Sequence, residues 1–171
     1  MVECNFHFVS EREYISEDVY SLMKLMPNVH SVSVVQKAYY YYCENDQSLT
    51  HVYKPDRFEK LVAFQLHLEE LCASDVYSDE VRYRIKRPFL DNLLACMKSE
   101  VNCVKEIGVK EIHRSISKMC ANKMVQEIVR LVPDTSFSRA RRMIRFCIKH
   151  KMSFSLSLIH ISEPTRRSYI S

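Results

Sequence analysis

The sequence predicts an α+β protein that is mostly helical: a short helix and an antiparallel β-hairpin, followed by a C-terminal helical region. Three observations predict it. Two β-rich runs, Val32 to Val35 and Ala38 to Cys43, are separated only by Gln36 and Lys37. Beyond the polar loop Glu44 to Thr50 the apolar period changes from two to 3.6 and stays there. With one glycine in 171 residues, the chain has little of the backbone that tolerates positive φ and lets a phosphate approach closely. A P-loop or a G-x-G-x-x-G turn is excluded.

The elements follow in order. Met1 to Tyr14 begins in mid-pattern, Phe6 and Phe8 alternating with His7 and Val9, as though the chain were leaving an earlier element. Ser16 is the expected N-cap of a short amphipathic helix, with Glu17 and Asp18 in its first turn. Val19, Leu22, Met23 and Met26 repeat at helical spacing until Pro27 and Asn28 stop it. The two runs that follow are β-branched and aromatic, which favours an antiparallel pair.

Pro55 and Asp56 start the first long helix, Glu59 standing where a capping-box partner would. Phe58, Leu61, Val62, Leu68, Leu71 and Cys72 form its inner side. Ser78 caps the next, whose stripe is Val81, Ile85, Phe89, Leu93, Cys96 and Met97, and Pro88 is expected to kink it. Gly108 breaks the run, helices resume over 109–120 and 123–131, and Pro133 ends them. After the turn at 134–136, Ala140, Met143, Ile144, Cys147 and Ile148 make an i, i+3, i+4, i+7, i+8 stripe among Arg139, Arg141, Arg142, Arg145 and Lys149.

The string LSLIHISEPTR, Leu156 to Arg166, resembles a translated sequencing adapter. The tail from about Ser155 is therefore expected to be artefactual, and His160, Glu163, Arg166 and Arg167 receive no role. Domain boundaries fall at 1–53, 54–132, 133–154 and 155–171.

Composition narrows function. A hydrophobic content of 47% excludes disorder and collagen. No run of about 18 apolar residues exists to cross a bilayer, and no leader pattern opens the chain. Seven cysteines, odd in number and never spaced as C-x-x-C, argue for reduced thiols in a cytosol and against zinc. Charge is divided: residues 1–80 hold six Lys/Arg against 14 Asp/Glu, and residues 81–171 hold 19 against seven. That polarity suggests a chemistry-bearing acidic front and a basic back that faces phosphate or lipid head groups.

Glu17 and Asp18 have two accounts. Acids in a first turn complement the helix dipole by about 0.3–1 kcal/mol, which explains them without function. Alternatively, one carboxylate is a general base that takes a proton from an attacking hydroxyl. Tyr39 to Tyr42 alternate faces on a strand, and tyrosines both suit a half-covered strand and stack on sugars. Ser48, Thr50 and His51 supply small donors beside them. The basic helix reads as a solvated face, as an interfacial helix on an anionic leaflet, or, third, as a nucleic-acid contact without a motif.

Taken together, an E-D pair opening a helix, a Val-rich run, Ala-Tyr-Tyr-Tyr-Tyr, a loop with Ser-Leu-Thr and the helix start Tyr-x-x-Asp-Arg-Phe-Glu-Lys resemble the family 2 glycosyltransferases. The likeness is greatest to bacterial enzymes of capsule, exopolysaccharide or O-antigen assembly. It covers approximately Val2 to Met152 and is most specific from Phe8 to Lys60. The resemblance implies the second half of a GT-A domain followed by a helical region. It implies Asp18 as catalytic base for an inverting displacement, Glu17 assisting, and Tyr14, Ser48 and Thr50 flanking the acceptor pocket.

The implied donor is a nucleotide sugar, the acceptor a lipid-linked or polysaccharide hydroxyl, and the cofactor Mg2+ or Mn2+ in the full-length parent. Relatives carry a D-x-D motif that this sequence lacks, so the chain is expected to be a fragment, inactive alone and binding no metal itself. Cys43 stands where many relatives have arginine. The implied location is cytoplasmic, peripheral at the inner face of the plasma membrane. Arg139, Arg141, Arg142, Arg145 and Lys149 are the expected membrane-surface residues, and no nucleic-acid partner is expected. The rival reading is a non-catalytic helical module for membrane surfaces or protein partners.

Overall fold

The computed structural model describes residues 6–10, 16–41, 53–133 and 137–152. Eight α-helices occur among them: α1 (Glu17–Leu25), α2 (Arg57–Cys72), α3 (Asp79–Arg84), α4 (Lys86–Asn102), α5 (Val104–Ile107), α6 (Val109–Ala121), α7 (Lys123–Leu131) and α8 (Arg139–Lys149). A 3-10 turn, Met26–Asn28, follows α1. The chain divides into two compact units between Arg82 and Tyr83.

The predicted β-hairpin is not formed, and with it goes the α+β fold and the partial GT-A domain it was meant to represent. Residues 29–41 run without strand pairing, Cys43 lies outside the described residues, and no strand occurs among those that are described. Val34 is 88% exposed and Tyr39, Tyr40 and Tyr41 are all exposed. The physical reason is that β-propensity is a preference for a pleated, half-buried surface rather than for a backbone shape. Over residues 32–41 neither face of the run is covered, so alternation has nothing to select.

In the first unit, α2 buries Phe58, Leu61, Leu68 and Cys72 of its expected inner side and Phe64 besides, while Val62 and Leu71 are half-buried. Each large apolar side chain so buried contributes roughly 1.5–3 kcal/mol. Asp56 does not cap α2 with its side chain. It pairs instead with Lys60 at 2.8 Å, and that hydrogen bond lowers its carboxyl below the usual range. Arg82 closes the far end, donating from Nε to the Cys72 carbonyl at 2.7 Å and from Nη2 to the Ser74 carbonyl at 3.2 Å.

The long helix expected to kink at Pro88 breaks earlier, at Ile85, and Pro88 becomes the third residue of α4. The first-turn N–H groups of a helix have no intrahelical acceptor, so proline loses nothing there. Gly108, with φ 79 and ψ 151, separates α5 from α6 in a conformation essentially restricted to glycine. The Asn122 side chain then caps α7, accepting from the Met124 and Val125 amides at 3.0 and 3.3 Å.

The second unit packs α4, α6, α7 and α8 around Phe89, Leu93, Met97, Ile116, Val125, Ile128 and Ile148. Gln126, buried among them, donates from Nε2 to the carbonyls of Cys120 (2.7 Å) and Ile148 (2.8 Å), tying the end of α6 to the end of α8. Cys72, Cys96, Cys103, Cys120 and Cys147 are thiols outside any disulfide. Burial, with Cys147 adding to it, pushes the Cys120 thiol up to about 11. Among the described residues no helix is long and apolar enough to cross a membrane.

Candidate functional site

The acidic doublet sits at the start of α1, with Glu17 half-buried and Asp18 exposed. Ser16 precedes them at φ 58, ψ 52, a left-handed conformation that costs an L-residue about 1–2 kcal/mol. Its side chain makes no cap. Its carbonyl accepts from the Val19 and Tyr20 amides at 3.0 and 3.3 Å, which turns the chain sharply into the helix and presents the doublet at the bend.

Three contacts hold α1. The Val9 amide donates to Ser21 Oγ at 3.0 Å, drawing residues 6–10 along the buried side of the helix. The Tyr20 ring lies 6.4 Å from His67 of α2. Tyr77 donates its hydroxyl to the Met23 carbonyl, and burial, with Cys72 nearby, raises that phenol above its usual range so that it remains a donor. Asp18 is exposed at the start of the helix these contacts hold. Tyr14, Ser48 and Thr50, expected to flank an acceptor, lie outside the described residues.

The cationic helix α8 departs from its sequence-based assignment in two places. Arg139, Arg142 and Lys149 are exposed. Arg141 is exposed but lies 2.9 Å from Asp91 of α4, an ion contact without hydrogen-bond alignment. Arg145 is not on the surface at all: it is 5% exposed. Its guanidinium donates to the carbonyls of Val129 (2.9 Å), Val132 and Pro133 (3.2 Å), the unsatisfied C-terminal end of α7, and lies 4.6 Å from the Phe137 ring centroid. A cation there complements the negative end of the helix dipole.

Met143 moves the other way. Expected in the inner stripe, it is 52% exposed, and Phe146 beside it is 55% exposed. Ser138 caps α8, its Oγ accepting from the Arg141 amide. Between the end of α7 and α8 lies a cavity of about 260 Å3 bordered by Arg130, Phe146, Lys149 and His150, with no carboxylate in its lining.

No cluster of three or more His, Cys, Asp or Glu suited to a metal ion occurs among the described residues. These residues do not supply ligands for the divalent metal the resemblance implies. Against known proteins, the chain matches no family model, no curated protein and no solved structure.

Proposed function

We propose that the chain is the C-terminal part of an inverting family 2 glycosyltransferase, passing a sugar from a nucleotide-sugar donor to a hydroxyl of a lipid-linked or polysaccharide acceptor. The observation that carries the reading is the Glu17–Asp18 doublet opening α1, followed by the Val- and Tyr-rich run and the Tyr53 to Lys60 helix start. Exposure of Asp18 at the start of α1 is compatible with it, because a general base must be reachable by the acceptor hydroxyl.

In the proposed step the Asp18 carboxylate takes the proton of the acceptor hydroxyl as its oxygen attacks the anomeric carbon. The new C–O bond forms as the bond to the departing nucleotide diphosphate breaks, and configuration inverts. Glu17 orients the acceptor. Donor binding is assigned to another part of the parent enzyme, so the chain alone is expected to be silent.

The test is Asp18→Asn in the full-length parent, assayed for sugar transfer with the donor and acceptor of that enzyme. Loss of about 10^2-fold or more in kcat with little change in KM for the donor is expected for a lost base. Near-normal turnover removes Asp18 from the role.

A further inference from the structure

We infer that the outward face of α8 docks on an anionic phospholipid bilayer, with Met143 and Phe146 entering the interface and phosphodiesters seated between Arg130, Lys149 and His150. The inference is independent of any transferase activity. It stands on three features of the second unit.

The first is the division of α8 into two faces. Ile144, Cys147 and Ile148 point into the core together with Arg145. Arg139, Arg142, Met143 and Phe146, at i, i+3, i+4 and i+7, lie on the opposite face with Lys149 and His150 and are all exposed. A helix that merely solvates its outer side has no need of two large apolar groups at the centre of it. Scattered single apolar residues are ordinary, but an apolar pair ringed by cations is the pattern of a helix lying in a lipid interface.

Charge is the second feature. The cations of this face are not neutralised along their own helix, since α8 contains no acid. Among the described residues, Asp91 engages Arg141 on the flank, while Arg139, Arg142 and Lys149 face outward. The arrangement complements phosphates lying over apolar chains rather than an acidic peptide, because an apolar pair sits among cations on one helix face.

The third is the cavity of about 260 Å3 at the edge of the face, whose polar lining is entirely basic. The Phe146 and His150 rings meet there, tilted at 46° with centroids 4.3 Å apart. Arg145 also borders it, but its guanidinium Nη groups are occupied with the end of α7. The pocket therefore offers Arg130, Lys149 and His150 to a head-group phosphate while Phe146 reaches past it.

The experiment is co-sedimentation of the full chain with vesicles of phosphatidylglycerol in phosphatidylcholine and with pure phosphatidylcholine. Binding to the anionic vesicles alone is expected, weakening as salt shortens the Debye length to about 3 Å at 1 M. Each cation near the surface is worth about fivefold, so R139E/R142E should weaken binding at least tenfold. K105E/K110E, which makes the same charge change at exposed positions on α5 and α6, should stay within about twofold. M143S/F146S should also weaken binding, and it decides the matter if the charge-reversed protein fails to fold.

Equal binding to neutral vesicles, no binding, or equal loss in the K105E/K110E control overturns the inference. So does self-association abolished by M143S/F146S, which would make this face a contact between copies, or tighter capture by duplex DNA than by vesicles.

Discussion

Replacing Arg145 with alanine removes a guanidinium that serves three carbonyls at the end of α7. Pro133 is exposed, so water can take over there, but Val129 and Val132 are each only 3% exposed. Two buried acceptors left without a donor forfeit about 1–3 kcal/mol apiece. The ring contact with Phe137 adds about 0.5–2 kcal/mol. Against this stands the desolvation of a buried charge, on the order of several kcal/mol, which the alanine protein no longer bears. The net expectation is destabilisation of about 2–4 kcal/mol.

Urea unfolding followed by circular dichroism measures it, as a lowered midpoint at unchanged slope. R145K keeps the charge with fewer directed donors and should recover part of the loss, whereas R145M keeps the length with none and should not. A midpoint for R145A within about 0.5 kcal/mol of the native protein would refute the capping argument, as would equal midpoints for R145K and R145M.

Two further outcomes concern the same unit. N122A strips the two-amide cap from α7 and should lower stability by about 0.5–2 kcal/mol in the same assay, with N122D retaining most of it. Cys120 is held neutral by the fold, so its contribution is complete below an unfolded value near 9 and declines as pH rises toward about 11. Unfolding free energy measured across that window should fall by on the order of 2–3 kcal/mol more in the native protein than in C120A, and parallel curves would discount the thiol.

Helix positions were largely legible because period is a property of the chain itself. Phe58, Leu61, Leu68 and Cys72 in α2, and Phe89, Leu93, Cys96 and Met97 in α4, all face inward as their spacing requires. The Val and Tyr run was misread because its residue types report an appetite for a covered sheet, which depends on what packs against them. Pro88 was misplaced by three residues of context: a proline breaks a helix interior and suits a helix start, and only the break at Ile85 decides between them.

Arg145 was read by its charge alone. A hint was present, since it falls between Ile144 and Ile148 on the flank of the buried stripe, where a long side chain can turn inward. What lay there to receive it, the bare end of α7 and the Phe137 ring, belongs to the tertiary structure. Met143 is the complementary case: turning the helix about its axis by roughly half of the 100° between successive residues carries Met143 out and Arg145 in, and periodicity cannot resolve so small a turn. The doublet at α1 was found as a motif, while its anchorage through Ser21, Tyr77 and His67 had no visible signature.

Scarcity of glycine has a consequence for how helices stop. Many helices finish on a left-handed glycine that satisfies the last carbonyls locally. Here α8 finishes on Lys151 at φ 55, with the Lys151 and Met152 amides returning to Ile148 and Cys147. The ends of α2 and α7 are instead closed from outside by Arg82 and Arg145. Termination of α7 is thereby delegated to a neighbour that must already have docked, which makes the boundary of one element conditional on the arrival of another and welds local order to global assembly.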